Sequence, residues 1–227
     1  MDKLVFRDLK AEEIDCRPAI IKANGLSLLL YKDARVDQDI LDETVGPMNW
    51  QREHSRENAN CLVSIWNEKE KMWVYKEDTG TESFSEKEKG LASDSFKRAC
   101  FNWGIGRELY SAPFIWISGD SCSIETKDGK YTTKDVFSVS HIVIVDKKIV
   151  ELTIVNDKTG EVVFDWKRGD YTKKIGKDKL DAIKSLNVDI DKAKEILNEF
   201  GYKKSTDIQV KDFPAIFKKL KEIKNEN

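Results

Sequence analysis

Two apolar spacings alternate along the chain. Residues 13–22 carry Ile14, Cys16, Ile20 and Ile21 and read as a strand. Residues 25–31, G-L-S-L-L-L-Y, read as a second and more buried strand, with Ala23-Asn24-Gly25 as the turn between them. The period then changes. Val36, Ile40, Leu41 and Val45 predict a helix over residues 32–45, stopped by Gly46-Pro47. Alternation returns in three runs, 49–56, 59–67 and 71–78, where Trp50, Cys61, Val63, Ile65, Trp73 and Tyr75 keep a period of two. Polar turns separate the runs, so they predict hairpins. Leu91, Ala92, Phe96, Ala99, Cys100 and Trp103 then form one helical stripe within residues 85–110. Ser85 and Glu88 have capping-box spacing, Glu86 adds charge to the first turn, and Gly104 and Gly106 suit the stop.

The remainder follows the same two patterns. Residues 1–12 are mixed and charged and suggest a short leading helix. Residues 111–118 read as an apolar strand, and 119–135 as a polar loop or hairpin around Asp128-Gly129. The runs 136–145, 149–155 and 162–166 alternate and predict a second small antiparallel sheet. Residues 167–179, with Gly169 and Gly176, read as a linker. Beyond it come three helical patterns: Leu180, Ile183 and Leu186; then Ala193, Ile196, Leu197 and Phe200, ended by Gly201; then Ile216, Phe217, Leu220 and Ile223, with Asp212 as cap. The expected division is a first domain over 1–170 and a small helical module over 171–227. No internal repeat or low-complexity tract is visible.

Composition changes this picture little. Of 227 residues, 40% are hydrophobic and 35% charged, which gives a core beneath a heavily charged surface. The net charge of −2 argues against nucleic-acid binding unless the cations are segregated into one groove. The four cysteines, Cys16, Cys61, Cys100 and Cys122, are scattered and form no CxxC pair, and only His54 and His141 accompany them. Zinc-ligand spacing is therefore absent, and reduced, buried thiols of a cytosolic protein are expected. No apolar signal segment follows Met1, and no run approaches the roughly 18 apolar residues of a membrane span.

The usual catalytic patterns are also missing. There is no phosphate-binding G-x-x-x-x-G-K-[ST] loop, no G-x-S-x-G and no HExxH. Gly104-Ile105-Gly106 closes a helix instead of opening one, so it is no dinucleotide fingerprint. For a metal nuclease the carboxylates Glu43, Asp78 and Glu82 are the best available, and they are poor candidates. No catalytic residue, metal or cofactor is assigned.

The outer face of the 85–110 helix carries Lys97 and Arg98 side by side, with Asp94 placed for an i,i+4 pair with Arg98. If the apolar stripe fixes this helix on a sheet, both cations point outward together. Such a pair suits a phosphate backbone, and it equally suits an ordinary solvated face. Arg52, His54 and Arg56 share one face of their strand if it is regular. The rings of Trp50, Trp66, Trp73 and Tyr75 are either stacking platforms for bases or, more simply, core.

The run S-D-S-F-K-R-A-C-F-N-W-G-I-G-R-E-L-Y at 93–110 resembles the signature helix of the Rad52 superfamily of single-strand annealing proteins, in its phage-type branch. That family shows [ST]-D-x-x-K-R-A followed by W-G-I-G-R-x-L-Y. A second block, Y-K-D-A-R-V at 31–36 leading to G-P-M-N-W at 46–50, resembles the same family. The resemblance covers 31–110 and becomes vague after residue 118. It implies an α+β fold with a β-β-β-α core, an antiparallel sheet packed on a long helix. It implies that Lys97, Arg98 and Arg35 line a groove for single-stranded DNA, with Arg52 and Arg56 as weaker candidates; without it, Arg35 would equally pair with Asp37 or Asp39. It further implies a homo-oligomeric ring that anneals strands in DNA recombination and repair without ATP, and a phage or prophage protein working in the cytosol of a bacterial host. The C-terminal module would then meet a single-strand-binding protein, modulate access to the groove, or deliver double-stranded DNA through Lys203, Lys204, Lys218, Lys219 and Lys221. The rival readings are a structural protein that coats DNA ends without annealing, and a metal-dependent nuclease.

Overall fold

A computed structural model describes residues 4–81 and 87–225. The chain is an α+β protein of antiparallel sheets and, among the described residues, five α-helices. The capping box of Ser85 and Glu88, and Glu86 with it, lie outside what can be described.

Strands β1 (Asp15–Lys22) and β2 (Gly25–Tyr31) form the hairpin expected from their turn, with Lys22 opposite Gly25. Helix α1 (Ala34–Val45) follows, and Asp33 caps it by accepting from the Arg35 amide. Strands β3 (Trp50–Ser55), β4 (Asn60–Asn67) and β5 (Met72–Thr79) then form a three-stranded meander. Helix α2 (Lys87–Trp103) lies across β4 and β5. Its stripe behaves as the spacing predicts: Phe96, Ala99 and Cys100 are buried against Cys61, Val63 and Ile65. The Trp103 indole reaches over to donate to the Val63 carbonyl at 3.0 Å. The end of β5 comes very close to α2, because a Cβ at Gly80 would stand 2.5 Å from the Ser95 amide nitrogen.

The remaining strands are β6 (Ile115–Ser118), the small hairpin β7 (Glu125–Lys127) and β8 (Lys130–Thr132), and then β9 (Phe137–Val145), β10 (Lys148–Asn156) and β11 (Val162–Lys167). Here the structure departs from the expected separate second sheet. β9, β10 and β11 continue the N-terminal hairpin, giving one six-stranded sheet in the order β11-β10-β9-β1-β2-β6. The join is the pairing of Asp15 with Ser138, a contact between strands far apart in sequence. The outer strands β6 and β11 approach each other, so this sheet curls around its apolar face. One core cluster, from Phe6 to Ile154, fills the space between this sheet, the meander, α1 and α2.

The leading helix expected over 1–12 is not formed by the described part of that segment. It runs extended to a single 3-10 turn, Ala11–Glu13, and buries Phe6 and Leu9 in the core. Arg7 bridges Glu13 and Glu43, and the Lys10 amide donates to Glu13, so side chains hold the path that no helical period supports. After β11, Arg168 is tied to the first core through Val150 and Ser111, while Ile175 enters a second cluster. That cluster joins α3 (Lys177–Ser185), α4 (Ile190–Glu199) and α5 (Phe213–Asn225) around Leu186, Ile196, Leu197, Ile208, Ile216 and Leu220.

Candidate nucleic-acid interface

Arg35 stands on the first turn of α1. Its guanidinium Nε donates to Asp33 Oδ1 at 2.9 Å, yet the side chain stays 82% exposed. Those bonds from Arg35 hold the Asp33 carboxyl below its ordinary range, and Lys97 adds to the effect. Lys97 on α2 is therefore close to the α1 N-terminus. Arg52 projects from β3 on the side facing α2, with its guanidinium carbon 4.7 Å from the Phe96 ring centroid. His54, two residues on, follows on the same side, with its Nδ1 3.4 Å from Ser95 Oγ. Burial, and then the Arg52 charge, push the His54 ring below its usual pKa.

These side chains frame two adjoining clefts. One, of 490 Å³, is lined by Arg35, Gln38, Arg52 and His54, with Ala92 and Ser93 of α2 as a wall. The other, of 320 Å³, is lined by Arg17 of β1, Lys97 and the rings of Tyr31, Phe101 and Tyr110. Asp33 belongs to the first and Lys32 to the second; Ser93 belongs to the first and Asp94 to the second. Consecutive residues thus lie on either side of one dividing line, where α1 meets α2. Cations from three separate elements of the predicted site, Arg35, Arg52 and Lys97, border this line.

Arg98 does not. A helix turns about 100° per residue, and that step carries Arg98 toward β5. Its Nε lies 3.3 Å from Asp78 Oδ1, and the side chain is 41% exposed. The expected Asp94–Arg98 pair is replaced by this one, while Asp94 accepts from the amide and hydroxyl of Thr81 at 2.9 and 3.2 Å. Lys97 and Arg98 consequently do not point outward together. Arg56 leaves the strand altogether: β3 ends at Ser55, and Arg56 opens the hairpin turn at φ 49. It is exposed at the tip, apart from Arg52 and His54.

The rings divide as well. Trp50 stacks on Phe96 with centroids 6.2 Å apart and donates to Asp42 at 2.6 Å. Trp66 and Trp73 meet edge to face at 5.5 Å. Trp73 and Tyr75 lie on the face of the meander turned away from α2, and Tyr75 is 64% exposed, so these two are not core. Of the carboxylates considered for a nuclease, Glu43 is bound to Arg7, Asp78 to Arg98 and Asn102, and Glu82 lies outside the described residues. Among the described residues no group of three or more His, Cys, Asp and Glu side chains is placed to hold a metal ion. Burial raises the Cys61 thiol to about 11, and burial likewise pushes the Cys100 thiol well above its ordinary value. Among the described residues no helix is long and apolar enough to cross a membrane.

With this geometry in view, the chain is similar to the single-stranded DNA-binding protein DdrA of Deinococcus radiodurans. The two are 32% identical over 114 residues, which is 48% of this chain and 54% of DdrA, so the chain spans about half the length of that relative. No family model matches the chain, and no solved structure matches it.

Three features of the site were not anticipated from the sequence. Arg17 lines the second cleft, but strand alternation says only that it faces outward, not that α2 stands beside it. Lys32 and Asp37 are read naturally as surface charges opening a helix, yet they form a buried ion pair beneath the dividing line. Lys32 also lies 4.6 Å from the Phe101 ring, and Gly106, at φ 71, leaves room for it, since a Cβ there would stand 2.3 Å from Lys32 Cε. Glu108, of the W-G-I-G-R-E-L-Y run, is fully buried and accepts from the Leu9 amide at 2.7 Å, which clamps the N-terminal segment.

Proposed function

We propose that this protein binds single-stranded DNA by its sugar-phosphate backbone and anneals complementary strands without nucleotide hydrolysis. The observation that carries the reading is the meeting of Arg35, Arg52 and Lys97, from α1, β3 and α2, along two adjoining clefts. The similarity to a protein named for single-stranded DNA binding supports it, as does the resemblance of 31–50 and 93–110 to the annealing family. Cations that neutralise phosphates release condensed counterions, and this needs no base sequence. A net charge of −2 is no obstacle when positive groups gather at one line.

In this mechanism Lys97, Arg35 and Arg52 hold the strand extended, with Arg17 beside Lys97 and with Arg98 and Arg56 on the flanks. Bases left outward test a second strand, and pairing itself supplies the specificity and the free energy. A ring of copies would make the clefts continuous. β3 and β5 are the two edges of the meander, and the exposed Tyr75 and Trp73 on β5 offer apolar surface to a neighbour. The test is an annealing assay with complementary dye-labelled oligonucleotides, without nucleotide or metal, for the parent and for Arg35→Ala with Lys97→Ala. Annealing accelerated by the parent and lost in the folded variant is expected. Binding without acceleration would favour a coating protein, and strand loss on adding magnesium or manganese would favour a nuclease.

A further inference from the structure

The helical module carries a groove that the DNA reading does not use. Between α3, α4 and the segment before α5 lies a cavity of 450 Å³. Its floor is aliphatic: Ile183, Val188, Ala193, Leu197 and Leu220. Ile190 stands at its mouth, 70% exposed. Four lysines, Lys184, Lys194, Lys203 and Lys204, with Asn187 and Ser205, complete the lining, and no carboxylate is among the residues that line it. Lys194 is bonded to Asp191 at 3.0 Å and Lys184 lies 3.8 Å from Asp181. Lys203 and Lys204, both exposed, form the rest of the positive rim, with Lys204 also acting on the Asp207 carboxyl outside the lining.

We propose that this groove docks an acidic peptide segment of a partner protein, one that sets a large apolar side chain on the aliphatic floor and its carboxylates against the lysines. Charge complementarity selects the sign of the ligand, and the floor selects against nucleic acid. Single-strand binders stack bases on aromatic rings, and this floor has none. Phosphates alone need no apolar floor, so the aliphatic surface would stay wet under a bound backbone. An amphipathic acidic segment satisfies both halves of the site at once, as grooves that read short peptides do.

Fluorescence anisotropy with the full chain tests this. The probe is a fluorescein-labelled peptide with a run of aspartates followed by leucine and phenylalanine. Its controls replace the aspartates by asparagines, or the two apolar residues by serines. Saturable binding of the acidic apolar peptide alone is expected, weakened about tenfold, the equivalent of about 1.4 kcal/mol, by Lys203→Glu with Lys204→Glu. Both substitutions are on exposed positions, and circular dichroism checks the fold. Single-stranded DNA binding by the same variant should match the parent, since the clefts at α1 and α2 are untouched. No saturable binding of the peptide, equal binding of either control, or indifference to the charge reversal overturns the proposal. So does a charge reversal that abolishes oligonucleotide binding and spares the peptide. Failure of the parent to bind DNA would leave the peptide result standing and count against the DNA reading alone.

Discussion

The Lys32 ammonium donates to both carboxylate oxygens of Asp37, and only 1% and 0% of the two side chains reach solvent. Lys32 sits one residue before the α1 cap, Asp37 lies within α1, and the Lys32 ammonium is 4.6 Å from the Phe101 ring of α2, so the pair joins the element carrying Arg35 to the element carrying Lys97. Burial pushes the Asp37 carboxyl up to about 6, against the opposing pull of Lys32. Lys32→Met removes that pull and raises it further. A carboxyl raised in the folded state contributes stability below its unfolded pKa of about 3.9 and loses it as pH rises through the folded value. The defect of Lys32→Met should therefore be smallest in acid and open as pH rises through and beyond about 6. At pH 8 it should reach about 3–5 kcal/mol, the cost of an uncompensated buried charge, and Lys32→Met with Asp37→Asn should recover most of it. Urea unfolding at pH 5 and pH 8 measures both.

Lys97 and Arg98 should separate in binding experiments. Lys97 borders a cleft with Arg17, whereas Arg98 is turned to Asp78. Lys97→Ala should weaken single-strand binding about tenfold, with Arg35→Ala and Arg52→Ala adding to it, while Arg98→Ala costs much less. None of these substitutions should shift stability by more than about 0.5 kcal/mol. Titration in low salt decides; equal losses for Lys97→Ala and Arg98→Ala would show that the strand also runs along β5.

Binding should depend steeply on salt and little on base sequence. Each phosphate contact on a single strand contributes about 0.7 to the slope of log K against log salt. Arg35→Ala, Arg52→Ala and Lys97→Ala should each flatten the slope by about that amount. Affinities for mixed sequences of one length should agree, because backbone contacts carry no base information. A flat slope, or strong preference among mixed sequences, would point to base readout by rings such as Tyr110 and Phe101 in the second cleft.

What the sequence revealed about this fold was local. The meander, α1, α2 and the three C-terminal helices follow from apolar period and turn residues, with boundaries near those expected. The join of β9 to β1 does not, because it depends on a single pairing, Asp15 with Ser138, between segments that carry no shared pattern. The site was legible in the same measure. Arg35 and Lys97 stand out through motif wording, but their meeting with Arg52 and Arg17 is made by packing. The divergence of Lys97 and Arg98 was available from the helical turn alone; what decided it was Asp78, supplied by β5. Lys32 and Asp37 could not be found, since a Lys and an Asp near a helix start are among the commonest surface residues.

The first core cluster with its packed neighbours contains no residue beyond Trp166, and the second contains none before Ile175. In the segment between, Arg168 is tied back to Val150 and Ser111, while the stretch from Tyr171 onward is held by the module: the Lys211 amide donates to the Tyr171 carbonyl at 3.0 Å, and the Ile175 amide to the Ile208 carbonyl at 2.8 Å. A chain ending near Tyr171 should therefore stay folded, oligomeric and able to bind single-stranded DNA. What it loses is the ion pair that crosses to the sheet, Lys211 with Glu151, while His141 remains 3.2 Å from Glu151. Burial pushes the Glu151 carboxyl up, but the bonds from Lys211 and His141 outweigh it and hold the group below its usual range. A carboxyl lowered in the folded state adds stability above its unfolded pKa of about 4.3 and loses it as pH falls through the folded value. The shortened chain should thus melt below the full chain near pH 7, and the gap should narrow below about pH 4. Size-exclusion chromatography reads the oligomer and calorimetry the melting temperature. Aggregates, or a smaller species than the full chain forms, would show that the first part depends on the module, and the division near residue 171 would be wrong.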